Sequence, residues 1–169
     1  MSAAEIRPFD DIDGEGFARL AEAARGEGHR FLDRMANDWH AGTNRFAKPG
    51  ECVLGAWVGA TLAGVIGRNI DPHSADPTVG RLRHLYVRPD FRGSGIGASL
   101  VKAALAGAEA HFRLIRVRMG PGNERAAAMY LALGFSRLAG DPFATHMLSL
   151  RPDASPPTSD PIRILPPGG

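Results

Sequence analysis

Between a run that reads as a β-strand, Val79 to Val87, and a run that reads as a helix, Gly97 to Phe112, the chain carries Arg88-Pro89-Asp90-Phe91-Arg92-Gly93-Ser94-Gly95-Ile96-Gly97. Pro89 stops the strand, because proline cannot donate to a sheet ladder. Val101, Ala104, Leu105, Ala108 and Phe112 then recur at helical spacing. Three glycines in five residues let the backbone between them turn sharply and come close to a ligand. Successive N–H groups point into one concavity, and the helix N-terminus adds its positive dipole. Arg92 adds a forked cation. Such a loop is suited to a phosphate or a pyrophosphate.

Several kinds of site use a loop like this. Gly93, Gly95 and Ala98 fit the spacing of a dinucleotide fingerprint. That fingerprint expects an acidic residue about 20 residues further on, at the end of the next strand. The next strand is Leu114 to Met119, which holds Arg116 and Arg118 and no acid. The Gly-Lys-Ser/Thr of a nucleotide-binding P-loop is absent too. A purely structural glycine turn remains the other reading.

The order of elements narrows the fold. Glu5 to Phe9 reads as a first strand, and Phe17, Leu20, Ala21 and Ala24 mark an amphipathic helix. His29 to Trp39 is expected to be a second helix, and Ala41 to Gly50 a loop. Glu51 to Val58 and Thr61 to Ile70, joined at Gly59-Ala60, predict a β-hairpin. Leu114 to Met119 is a strand, Asn123 to Leu133 a helix, and Phe135 to Leu138 and Thr145 to Leu150 are late strands. The strand–helix–strand unit through the glycine loop implies a parallel pair, whereas the early hairpin is antiparallel. The expected class is α/β: one domain with a mixed, mostly antiparallel sheet of about six to seven strands and helices on both faces.

At 169 residues the chain suits one domain. We expect it to span residues 1–150. Residues 151–169, rich in proline, read as a flexible tail or a docking segment. The net charge of +2 rests on 18 Arg and only 2 Lys. No basic run with interleaved aromatics occurs, so nucleic acid is not the expected partner. The single Cys52 cannot close an intrachain disulfide and reads as a buried thiol. No signal segment and no membrane-length apolar run is visible, so a cytoplasmic protein off the membrane is expected. The six histidines show no paired ligand spacing, and no metal site is expected.

Three motifs in one order make the sequence resemble the GNAT superfamily of N-acetyltransferases. Arg92-Gly93-Ser94-Gly95-Ile96-Gly97 matches that family's Gln/Arg-x-x-Gly-x-Gly/Ala loop. Leu85-Tyr86-Val87-Arg88-Pro89 matches the strand end before it. Asn123, Ala126, Ala127, Tyr130, Gly134 and Phe135 match the helix after it. The match covers residues 79–138.

The resemblance implies acetyl-CoA as cosubstrate. Gly93, Ser94, Gly95 and Gly97, with Arg92, would hold its pyrophosphate. Leu85 and Val87 would pair with the pantetheine arm between two splayed central parallel strands, and the Val87 N–H would face the reacting carbonyl. Asn123 would bind the arm or cap its own helix. Tyr130 would be the general acid; the other reading packs it in the core between Ala126 and Phe135. The family often places a carboxylate on the strand before the loop, and Gly80 to Tyr86 has none. His84 is then the candidate base, or a histidine satisfied within the sheet. Leu82 and Leu85 are three apart and Leu85 and Val87 two apart, a phase slip that a β-bulge would produce; alternatively Leu82 faces the other layer.

The implied activity is acetyl transfer to a primary amine of a small molecule or peptide, by a homodimer on family analogy. The acceptor is expected near Trp39, His40, Asn44, Arg45 and Phe46. Arg81, Arg83, Arg116 and Arg118 read as groups that meet an acid, either on the substrate or on the 3′-phosphate of CoA. Two rival readings are a non-catalytic acyl-CoA-binding module and an acetyltransferase of aminoacyl-tRNA. Steep salt dependence of RNA binding would mark the second.

Overall fold

The computed structural model describes residues 3–151; the proline-rich stretch 152–169 lies outside the described residues. The elements are β1 (Glu5–Pro8), α1 (Glu15–Gly26), α2 (Phe31–Ala41), β2 (Cys52–Val58), β3 (Thr61–Ile70), β4 (Val79–Val87), α3 (Ile96–Leu105), β5 (Leu114–Val117), α4 (Glu124–Ala132), β6 (Ser136–Arg137) and β7 (His146–Ser149). They build one seven-stranded sheet in the order β1-β2-β3-β4-β5-β7-β6. Only β4 and β5 run parallel. The expected mixed, mostly antiparallel sheet is the one observed.

Each face of the sheet has its own core. On one face Phe17, Leu20 and Ala24 of α1 and Leu32 and Met35 of α2 close over Val53, Val65 and Tyr86. On the other, Leu100, Val101 and Ala104 of α3 and Tyr130 of α4 close over Ile66, Leu82, Ile115 and Val117. Residues two apart on a strand share a face, so β3 and β4 give apolar residues to both layers, Val65 and Tyr86 to one and Ile66 and Leu82 to the other. Cys52 is partly buried, and burial pushes its thiol pKa up, which fits a structural thiol.

Two helices differ from the sequence expectation. The second begins at Phe31, because Gly28 takes a left-handed turn that separates it from α1. The helix after the glycine loop stops at Leu105 instead of reaching Phe112. Gly107, at φ 73, breaks it, and a short 3₁₀ turn at Ala108–Ala110 follows. That turn still delivers Ala108 and Phe112 to the core, so the apolar stripe persists through a break in the backbone.

Candidate active site

The sheet opens at its centre. β4 pairs with β5 only through Val79, Gly80 and Arg81, opposite Leu114, Ile115 and Arg116. β5 ends at Val117, while β4 continues to Val87. Along its other edge β4 carries an extra residue: Val65 faces Tyr86 and Gly67 faces Arg83, two steps on β3 against three on β4. That is a β-bulge, at the place where the apolar spacing slips. His84 occupies it with φ 59, a left-handed conformation in which histidine is enriched among non-glycine residues. A bulge bends its strand and increases its twist, which carries β4 away from β5.

The bulge restores the ladder beyond it. The Arg88 N–H donates to the Ala63 carbonyl at 2.8 Å. Residues in an antiparallel ladder alternate in the direction of their polar groups. The N–H and C=O of Val87 therefore turn away from β3, into the gap.

The glycine loop closes the wide end of this gap. Gly93 and Gly95 lie at φ 85 and φ 82, where a side chain would be strained. None of the N–H groups of Gly93 to Ala98 donates to a backbone carbonyl among the described residues. Gly95 caps α3 without a side-chain hydrogen bond, so the helix's first turn is also open. Ser94 is turned back, its Oγ donating to the Phe91 carbonyl at 2.9 Å. The result is a row of free donors at a helix N-terminus, a ready site for an anion.

Arg92 does not reach toward that row. Its Nε donates to the Val87 carbonyl at 2.9 Å, and its two terminal nitrogens grip Glu27 at 2.8 and 2.6 Å. The Tyr86 hydroxyl donates to the same carboxylate at 2.6 Å. Arg92 above all, then Tyr86, holds the Glu27 carboxyl at about 2 against the opposing effect of burial. Burial and Glu27 together push the Tyr86 phenol up to about 12. This clamp ties the end of α1 to the end of β4 and to the loop. Glu27 lies at an exposed helix end in a glycine-flanked stretch, and no local pattern singles it out.

Tyr130 is buried in the α3–α4 core, edge-on to Phe135 at 5.1 Å between ring centres. Burial raises its phenol pKa further above 10, so it stays protonated. The core reading is the one its packing displays, and no hydrogen bond to the hydroxyl occurs among the described residues. Asn123 caps α4, accepting the Ala126 N–H at 3.3 Å. His84 sits between Phe31 and Phe46, at 6.3 and 6.0 Å. Gly67 leaves room for Phe46, since a Cβ there would stand 2.6 Å from its ring. Burial first, then Arg83, Arg34 and Arg81, lowers the His84 pKa to about 3. Its imidazole is neutral and a weak base.

Two of the four arginines expected to meet a ligand are largely committed inside the protein. Arg116 donates from Nε to Asp71 at 2.7 Å and from one terminal nitrogen to Asp141 at 2.8 Å. Arg81 donates to the Phe143 carbonyl at 2.7 Å and lies 3.7 Å from Asp71. A guanidinium drawn out of water needs a carboxylate, and the 71–78 and 139–145 loops supply them. Arg45 of the expected acceptor region donates to the Trp39 carbonyl, and His40 pairs with Asp13. Among the described residues no cluster of His, Cys, Asp and Glu could hold a metal ion. No helix among them is long and apolar enough to cross a membrane.

Residues 16–135 match the sequence model of the acetyltransferase (GNAT) family. The fold is shared by an acetyltransferase-assigned protein of Exiguobacterium sp. 255-15, at 25% identity and TM-score 0.75, covering 88% of this chain and 94% of that one. A Salmonella typhimurium protein of the same assignment, solved with acetyl-CoA, is 18% identical with TM-score 0.68, over 92% and 98% of the two chains. A GNAT-family acetyltransferase of Brucella melitensis in complex with acetyl-CoA is 20% identical with TM-score 0.65, over 90% and 91%. No curated protein sequence gives a significant match.

Proposed function

Since the chain belongs to the acetyltransferase (GNAT) family and is therefore an acyltransferase, we propose that its 1–150 domain moves an acetyl group from acetyl-CoA directly to a primary amine of a small molecule or peptide. The observation that carries this reading is the alignment of two hydrogen-bonding surfaces that no other strand or helix fills. The free amides of Gly93 to Ala98 stand at one end of β4, and the unpaired edge of β4 runs from there into the sheet. A ligand with a pyrophosphate and an extended amide-bearing arm satisfies both.

Bound acetyl-CoA supplies an activated thioester: a C–N bond forms to its carbonyl carbon, the C–S bond breaks, the amine gives up a proton and the sulfur takes one. The loop amides of Gly93, Ser94, Gly95 and Gly97 hold the phosphates. Arg92 serves indirectly, by fixing the Val87 carbonyl and thereby the direction of the strand edge. The Val87 N–H, turned into the gap, stabilises negative charge on the carbonyl oxygen. Tyr130, kept protonated by burial, donates to the departing sulfur. The neutral His84 imidazole at the bulge orients a water that accepts the amine's proton.

Acetyl-CoA should raise the melting temperature of the native protein, and Gly95→Val should lose the effect. At φ 82 a β-branched residue must drag the loop amides out of line. A folded native protein that ignores acetyl-CoA in thermal shift would overturn the reading.

The pH profile provides a separate check. His84 is held near 3, so it does not change charge above about pH 4. Below the acceptor amine's own pKa, kcat/KM should rise with pH as the free amine accumulates, about tenfold per unit. No inflection should appear near 6.5. An inflection there that vanishes in His84→Gln would show a histidine titrating in its ordinary range and acting as the base.

A further inference from the structure

Asn69, Arg81 and Arg116 are register partners across three neighbouring strands, β3, β4 and β5. All lie on the face opposite the one that Leu82 and Ile115 share with α3, where Asp71, Asp141 and Phe143 of the 71–78 and 139–145 loops meet the two arginines. They are 5%, 8% and 4% exposed. Asp71 and Asp141 engage most of the two guanidinium groups, yet one terminal nitrogen of Arg116 is buried with no hydrogen-bond partner. A buried donor left open costs free energy that an anion beside it would recover.

The next step along each strand brings Arg83 and Arg118. Continued pairing would set them opposite one another, but β5 has ended at Val117 and the strands have parted. The two arginines therefore flank the mouth of the gap on the acceptor face. Neither side chain makes a hydrogen bond or an ion pair within 4 Å among the described residues, and the same is true of the Arg34 side chain on α2. Arg34, Arg83, Arg116 and Arg118 all act electrostatically on their neighbours at this point, Arg116 and Arg118 on Arg81, and Arg34 on Arg83 and His84. Five guanidinium groups here face three carboxylates, those of Asp38, Asp71 and Asp141. Arg118 and Arg34 are exposed and Arg83 is partly so, which leaves them approachable. Excess cationic charge at the mouth of a cleft concentrates anions there.

The phosphates of CoA are not these anions. The loop amides that suit them lie beyond Val87, itself four residues from Arg83 and roughly 13 Å along the strand. On the acetyl-transfer reading, the arginines stand past the reacting end of the gap, on the side left for the acceptor. We propose that the acceptor is a small amine that also carries an acidic group, a carboxylate or a phosphate, held by Arg83 and Arg118 with the open nitrogen of Arg116 behind them. This rests on the acetyl-transfer reading of the same site.

The test compares amines that differ only in the acid: β-alanine with β-alaninamide, and phosphoethanolamine with ethanolamine. The acidic member of at least one pair should show kcat/KM about tenfold higher or more, the range expected for a charged hydrogen bond. Which pair responds tells carboxylate from phosphate. Arg83→Gln and Arg118→Gln should each raise KM for that acidic amine about tenfold while acetyl-CoA affinity stays as it is. A second readout needs no turnover: malonate or inorganic phosphate, with and without CoA, should raise the melting temperature of the native protein and not of the R83Q/R118Q double variant. If no amine in either pair reacts, this shift alone decides. Equal use of neutral amines, no stabilisation by either anion, or loss of acetyl-CoA affinity in Arg83→Gln would each overturn the proposal. Failure of acetyl-CoA to bind at all would instead sink the acetyl-transfer reading, and leave the anion shift standing.

Discussion

Tyr130→Phe should lower kcat by about 10²- to 10⁴-fold, the usual contribution of a positioned general acid, and leave acetyl-CoA binding intact. The ring is packed on Phe135 within the α3–α4 core, and phenylalanine preserves that packing. Only the hydroxyl is lost. Among the described residues this hydroxyl has no hydrogen-bond partner, so its removal orphans no protein group. Burial raises its pKa above the ordinary value of about 10, so it is protonated at neutral pH and available as a donor when sulfur leaves. Single-turnover CoA release, measured beside acetyl-CoA thermal shift on both proteins, separates chemistry from binding. A variant that releases CoA within threefold of the native rate would assign the proton to water and Tyr130 to packing alone.

Asp71→Ala should cost about 3–5 kcal/mol of folding stability, the typical loss when one member of a buried ion pair is removed. Asp71 is 1% exposed, and its carboxylate receives Arg116 at 2.7 Å and the His73 N–H at 2.8 Å, with Arg81 at 3.7 Å. Without it two guanidinium groups remain buried beside each other. The loss is a large part of an ordinary domain's stability of about 5–15 kcal/mol, equivalent to roughly 10 °C in melting temperature. Urea unfolding of the native protein, Asp71→Ala and Asp71→Asn would measure it. Asparagine keeps the shape and removes the charge, so a matching loss there identifies charge as the cause. A loss under about 1 kcal/mol in both would mean that solvent reaches the pair, as at a surface ion pair.

Asp71 also shows where sequence reading stopped. Arg81 and Arg116 look alike on paper as strand arginines awaiting a ligand, and so do Arg83 and Arg118. The fold separates them: two are clamped by carboxylates from remote loops, and two are left at the mouth of the split. Charge pairing across 45 residues leaves no local pattern, because nothing near Arg116 in the chain names Asp71. Glu27 escaped for the same reason, 65 residues before the arginine that grips it. The bulge was legible, because an extra residue in a buried strand must shift the apolar phase at Leu82 and Leu85. Its consequence for His84 was not, since the left-handed backbone and the Phe31 and Phe46 rings that flank the imidazole come from the folded arrangement.

The chain's own order of residues determined the mixed sheet, the glycine turn into α3, the position of Tyr130 on the following helix and, through these, the family. Those features are local: they depend on side-chain period, on glycine's access to positive φ and on proline's missing N–H, all properties of neighbours in the chain. Tertiary structure alone decided which arginines stay free, how basic His84 is, what Arg92 holds and which way the Val87 amide points. Each of those depends on desolvation and on partners brought together across the sheet, and burial energy and electrostatics act through space, without regard to distance along the chain.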